Sequence, residues 1–257
     1  MSPHKVWISY YTMVRKEFIR MIRIWSQTLL PPIVTTGLYF VVFGSFIGQQ
    51  LASIHGFSYM QFIVPGLIMM SVITSSYMNT VSTFYFAKWQ RNIDEILVSP
   101  TPNWVVIAGF VSGGMIRGLF VGFLVLLVSL FFTHLVIYNI FVLLGAVILT
   151  SMALSLAGLV NGIFAKGFDG ISIVPTFVLT PLTYLGGVFY SVNQFSPFWH
   201  TVSLFNPILY IVNAFRYGFL GISDVSVVFS FVLMVATVAV LLVVTVIFFN
   251  RGVGFKN

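Results

Sequence analysis

Six long apolar runs dominate the chain, at residues 28–48, 59–84, 104–132, 139–164, 170–190 and 225–249. Each is near or above the roughly 20 residues that a helix needs to cross hydrocarbon. The predicted fold class is therefore an all-α membrane protein with six transmembrane helices, in a single transmembrane domain over residues 1–257. The cations fall almost entirely in every second gap. Lys5, Arg15, Lys16, Arg20 and Arg23 precede the first run, Lys88 and Arg91 follow the second, Lys166 follows the fourth, and Arg251 and Lys256 follow the sixth. The opposite gaps hold only Arg216, and Arg117 stands inside a run. That asymmetry predicts that both termini face the cytoplasm.

A chain that is 59% hydrophobic and 7% charged cannot cover a soluble core with polar surface. Its mean hydropathy of +1.04 lies in the membrane range. The net charge of +7 follows from topology and anionic lipid, so nucleic acid is not an implied partner. With no cysteine there is no disulfide scaffold, thiolate catalysis or cysteine metal site. The N-terminal stretch is not expected to be a cleavable signal, because five cations interrupt it and the following run is too long.

Residues 3–25 place Lys5, Ser9, Thr12, Lys16, Arg20 and Arg23 on one sector at helical spacing, with Trp7, Tyr10, Phe18 and Met21 elsewhere. This is an amphipathic helix suited to the membrane interface, either as an anchor for the first run or as a docking element. The gap after the second run holds another, over 88–98. There Trp89, Ile93, Ile96 and Leu97 recur on one side, Lys88, Arg91, Asp94 and Glu95 on the other, and Ser99-Pro100-Thr101-Pro102 stops the helix. The shorter gap containing Lys166 and Asp169 reads alone as a turn.

Within the runs, Gly44 and Gly48, Gly109 and Gly113, Gly114, Gly118 and Gly122, and Gly158 and Gly162 recur at four-residue spacing. Such spacing lets helix backbones approach closely, within the bundle or between copies. The second run is polar in its later half, from Ser71 to Thr83, which suits interhelical hydrogen bonding or the lining of a pathway. Arg117 either has a functional task, snorkels inward or pairs with a carbonyl. Pro175 and Pro181 should kink or break the fifth run, which Gly186-Gly187 closes. Beyond it, Ser196-Pro197 and Asn206-Pro207 each put a capping residue before a helix-starting proline. Two short outer helices are expected within 191–220, lying at the interface or re-entering the bilayer.

No G-x-x-x-x-G-K-[ST] motif occurs, so the chain cannot hydrolyse nucleotide by a P-loop mechanism itself. The carboxylates Glu17, Asp94, Glu95, Asp169 and Asp224 all lie at or outside the run boundaries, which leaves no apparent ion-coupling site at the midplane. His4, His55, His134 and His200 show no metal-ligand spacing. Neither a catalytic residue nor a metal site is expected.

Several stretches together resemble the type-2 ATP-binding-cassette exporter permeases of bacterial inner membranes. They are Arg23-Ile24-Trp25, Gln61-Phe62-Ile63-Val64-Pro65-Gly66, the segment from Gln90 to Pro100, the segment from Pro181 to Tyr190, and Asn206-Pro207 with Tyr210 and Phe215-Arg216-Tyr217. The resemblance covers essentially the whole chain. It implies a half-transporter that pairs with a second permease copy as a homodimer and is driven by two copies of a separate cytoplasmic ATPase. The ATP and Mg would sit on that partner, with no cofactor on this chain. By position, 88–98 would be the coupling helix, the gap with Lys166 and Asp169 a second ATPase contact, and the stretch with Asn206, Pro207, Tyr210 and Arg216 the outer re-entrant helices. Asn79, Thr83, Phe177 and Tyr184 are the residues placed on the substrate pathway. Two other functions fit the same composition: an ATP-independent secondary transporter or channel, and a non-transporting anchor or sensor subunit.

Overall fold

The computed structural model describes residues 2–47, 54 and 56–254. Helix α1 (Pro3–Arg23) starts on Ser2 with proline in its first turn, and the chain bends at Ile24. A short α2 (Trp25–Thr28) leads into α3 (Leu30–Tyr39), whose first turn holds Pro31 and Pro32. α3 runs on into a π-helical stretch, Phe40–Ile47. The central helix α4 (Tyr59–Trp89) is opened by a capping box between Ser58 and Gln61. At about 1.5 Å per residue its 31 residues are longer than the hydrocarbon they would cross. A tight turn then sets off α5 (Asn92–Val98), followed by α6 (Asn103–Ser129) and α7 (Ile140–Phe164), the latter capped by Asn139. After α8 (Phe168–Val174) and α9 (Thr180–Tyr184) come α10 (Pro197–Leu204), α11 (Pro207–Leu220) and α12 (Val227–Arg251). No named strand occurs among the described residues.

Two expectations change. Five stretches among the described residues, not six, are long and apolar enough to cross a membrane: Trp25–Gly44, Tyr59–Trp89, Asn103–Ser129, Ile140–Phe164 and Val227–Arg251. The fifth apolar run instead forms α8, a π-helical stretch Pro175–Leu179 and α9, which end to end reach only from 168 to 184. The prolines kink the bonding pattern without breaking the helix. Pro181 has no N–H for the carbonyl of Phe177, and the switch to wider pairing lies one turn before it, with Thr180 N–H donating to the Pro175 carbonyl. Past Tyr184 the chain turns at Gly187, whose φ of +74° favours glycine, so the last apolar residues never join the helix. The second change is at 88–98. Lys88 and Trp89 complete α4, and the separate α5 begins only at Asn92, because Arg91 takes a left-handed φ of 60°. The expected pair of outer helices corresponds to α10 and α11, each with proline in its first turn. Only Asn206 caps with its side chain, accepting from Ile208 N–H at 3.0 Å.

α4 is the hub, and small residues bring its neighbours onto it. Gly114, Gly118 and Gly122 of α6 lie against Thr80, Ser76 and Val72, while Gly109 and Gly113 turn another face of α6 to Met13 and Glu17 of α1. Gly158 and Gly162 of α7 abut the Tyr77 carbonyl and Phe84. These spacings therefore serve packing inside one chain. Gly44 lies against Met60, and Gly48 is outside the described residues. Several hydroxyls of α4 bond locally: Ser71, Thr80 and Thr83 donate to carbonyls one turn back, and Ser71 also meets Thr36 of α3 at 3.0 Å. A Cβ at Gly158 would stand 2.6 Å from a backbone oxygen that no rotamer change can move. Gly158→Ala should therefore destabilise the protein by about 1–3 kcal/mol, read as a lower thermal unfolding midpoint in detergent.

Candidate functional site

The last turn of α4 and the short segment that follows α7 meet on one surface, with α5 beside them. Lys88 Nζ donates to the Ile163 carbonyl at 2.8 Å and to the Ala165 carbonyl at 3.5 Å. These are among the last carbonyls of α7, which have no partner within their own helix, and a cation suits that end of a helix. Phe168, opening α8, packs between Tyr85, Phe86 and Trp89 at centroid distances of 5.4, 5.7 and 6.1 Å. Ile93 buries α5 against the core cluster that includes Phe84, Ile107 and Ile163. Leu97 is partly buried beside it, while Arg91, Asp94, Glu95, Lys166 and Asp169 are exposed. The apolar side foreseen for 88–98 is thus realised by Ile93, Ile96 and Leu97, whereas Trp89 is 61% exposed. Phe168 escaped the sequence reading, because a lone aromatic in a five-residue gap carries no periodicity.

α1 is tied to α4 by a polar cluster. Arg20 Nη2 donates to Asn79 Oδ1 at 3.0 Å and to Thr83 Oγ1, and pairs with Glu17 Oε2 at 3.1 Å. Burial holds the Glu17 carboxyl above the ordinary carboxylate range, and the charge of Arg20 pulls it back. Asn79 and Thr83 are buried in this arrangement. Phe177 and Tyr184 are instead exposed, at 73% and 41%. The Tyr184 hydroxyl meets that of Tyr39 at 3.2 Å, and its ring stacks on Phe189. The four residues placed on the pathway therefore form two separate sets.

Arg117 pairs with a carbonyl, one of the three readings open to it. Its Nη2 donates to the Thr28 carbonyl at 3.3 Å. That carbonyl would ordinarily accept from the N–H four residues on, and Pro32 has none.

In the outer segment Arg216 is buried. Its Nη2 donates to the Gly187 carbonyl at 2.6 Å, its Nε to the Phe62 carbonyl at 3.3 Å, and its guanidinium lies 3.9 Å over the Phe62 ring. Asn206 Nδ2 donates to the Leu182 carbonyl in the last turn of α9, and the Tyr210 hydroxyl donates to the Leu204 carbonyl at 2.8 Å. Asp224 accepts from Ser191 Oγ, Val192 N–H and Asn193 Nδ2 at 2.7, 3.0 and 3.3 Å. Pro207 begins α11, and Gly66 of α4 closes against Val188. The Pro65-Gly66 and Gly186-Gly187 motifs, far apart in sequence, thus form one joint. Among the described residues no group of histidines and carboxylates could hold a metal ion.

Residues 8–220 match the ABC-2 type transporter family. The chain belongs to that family. It is 53% identical over 255 residues, 99% of each chain, to the inner membrane transport permease YadH of Escherichia coli (strain K12). Weaker similarity extends to nodulation protein J of Rhizobium leguminosarum bv. viciae, 21% over 219 residues and 83% of each chain. The same protein of Rhizobium meliloti is 20% identical over 216 residues, 84% of this chain and 81% of that one. The chain is therefore a multi-pass transport permease of the inner membrane.

Arg117→Met removes the donor to a carbonyl that proline has already deprived of its helical partner. It should lower stability by about 1–3 kcal/mol, measured by thermal unfolding in detergent, and Arg117→Lys should recover part of the loss.

Proposed function

We propose that the chain is the membrane half of an ATP-driven exporter, working as a homodimer with two copies of a separate cytoplasmic ABC ATPase that carries ATP and Mg. In this reading both termini face the cytoplasm, 168–184 is a short sixth crossing, and α10 and α11 re-enter from the outer side. A crossing of that length needs local thinning of the bilayer or flanking residues at the interface. The chain itself performs no hydrolysis and holds no cofactor.

One observation carries the reading: the end of α4 is fastened to the end of α7 and the segment after it by Lys88 and Phe168, and Ile93 packs α5 into the same core as Ile163. A partner bearing on the exposed Arg91, Asp94, Glu95, Lys166 and Asp169 would therefore move α4 and α7 together. Leu97 and Trp89 flank that surface. Because α4 also holds α1 through Arg20 and α11 through the Phe62 carbonyl, the displacement reaches the outer joint as rigid-body motion. Access alternates by that movement. The cargo route lies on the face of α3 and α9 that bears Phe177, Tyr184 and Tyr39, toward the second copy. Asn79 and Thr83 contribute to it only when Arg20 releases them.

Reversing the acidic pair with Asp94→Lys and Glu95→Lys should abolish co-purification of the permease with its ATPase while leaving its elution in detergent unchanged. Undiminished co-purification would remove the docking assignment. Transport by the permease alone in proteoliposomes would remove the ATP-driven reading itself.

A further inference from the structure

A cleft of about 210 Å³ opens between the two inner segments, lined by Tyr85, Lys88, Trp89, Arg91, Ala165 and Lys166. Three cations converge on it, and no carboxylate is among its lining residues. Among the described residues neither Arg91 nor Lys166 is paired with a carboxylate, the ion pair found being Arg20 with Glu17. Lys88 is already engaged by the carbonyls of Ile163 and Ala165, which leaves Arg91 and Lys166 as the free charges at the mouth.

Arg91 is held there at a cost. It is the one non-glycine residue with a positive φ among the described residues, at φ 60° and ψ 8°. A side chain in that region is strained, and such strain gathers at functional sites. Asparagine would take the turn more easily, so the turn alone does not call for arginine. The surroundings decide between possible anions. The exposed rings of Phe86, Trp89, Phe164 and Phe168 flank the cleft where α4 and α7 end. Aromatic rings beside cations at the end of a spanning helix mark the level of lipid headgroups.

We propose that this cleft binds the phosphate of an anionic phospholipid, with Arg91 and Lys166 on the phosphate and Tyr85, Trp89 and Ala165 against the glycerol and upper acyl carbons. The inference rests on the cytoplasmic placement of this surface given above, and not on the ATPase. A lipid held there bridges the end of α4 and the segment after α7 from the membrane side and takes Arg91 and Lys166 out of the surface proposed above for the ATPase, which then bears on Asp94, Glu95 and Asp169.

The test titrates the purified full-length permease, in a neutral detergent and without any ATPase, with dioleoylphosphatidylglycerol or dioleoylphosphatidylcholine. Retained lipid is counted by native mass spectrometry. The wild type should hold phosphatidylglycerol several-fold more tightly than phosphatidylcholine. Arg91→Asn with Lys166→Gln should weaken that retention about thirtyfold, given what each of the two cations contributes at an anionic surface. Lys166→Arg should keep it, and Lys166→Gln alone, at an exposed position, should weaken it with the unfolding midpoint unchanged. Equal retention of the two lipids by the wild type, or an undiminished preference in the double variant, would overturn the proposal. Displacement of the lipid by millimolar inorganic phosphate that itself binds as tightly would assign the cleft to a free anion. In a separate pull-down with the ATPase, loss of capture by the double variant while its lipid preference stays intact would assign the cleft to the protein partner.

Discussion

Every carbonyl that a proline or a helix end deprives of its donor must find another inside this bundle, because lipid offers none. Side-chain cations supply several of them. Arg117 reaches the Thr28 carbonyl that Pro32 leaves open, Lys88 reaches those ending α7, and Arg216 reaches the Gly187 turn. Each of these bonds joins two elements distant in sequence. The backbone's demand for donors thereby becomes the set of ties that holds the helices in register, and a charge that is costly in an apolar setting is retained for the carbonyl it serves.

These ties converge on α4. Glycines of α6 and α7 let it be approached closely on two sides, Arg20 fixes α1 to its C-terminal half, and Arg216 of α11 fixes the segment between α9 and α12 to its start. A helix packed so densely responds as a rod rather than bending residue by residue. The contrast with α12 is instructive: only Ser230, Met234, Thr245 and Phe249 of it are buried, and among the described residues no comparable cation ties it to the rest. On the proposed reading, movement applied where α4 ends is transmitted along α4 and not through the periphery.

Much of this was legible in the sequence because the responsible signals are local. The apolar runs, the four-residue glycine spacing and the Asn206-Pro207 helix start each depend on neighbours within a turn or two. The length of the fifth run was misjudged for the complementary reason. Hydropathy counts residues up to 190, whereas the helix ends at Tyr184 because Gly187 turns the chain for the sake of Arg216 and Gly66, partners far away in sequence. Likewise 88–98 has the pattern of one amphipathic helix, yet the strained turn at Arg91 divides it. The pathway residues were the least legible. Asn79 and Thr83 look free on a helical wheel, and only Arg20, some sixty positions earlier, shows them to be occupied.

On the proposed reading the end of α4, α5 and the segment following α7 form one rigid body through which the bundle is driven. With no native cysteine to remove, single labels can be placed at will. The most direct measurement is the distance between spin labels on cysteines at positions 95 and 169, taken by pulsed electron resonance in the assembled complex with and without ATP. The account predicts one narrow distance that nucleotide leaves unchanged. A distance that broadens or shifts when ATP is added would show that the two segments move separately, and would contradict it.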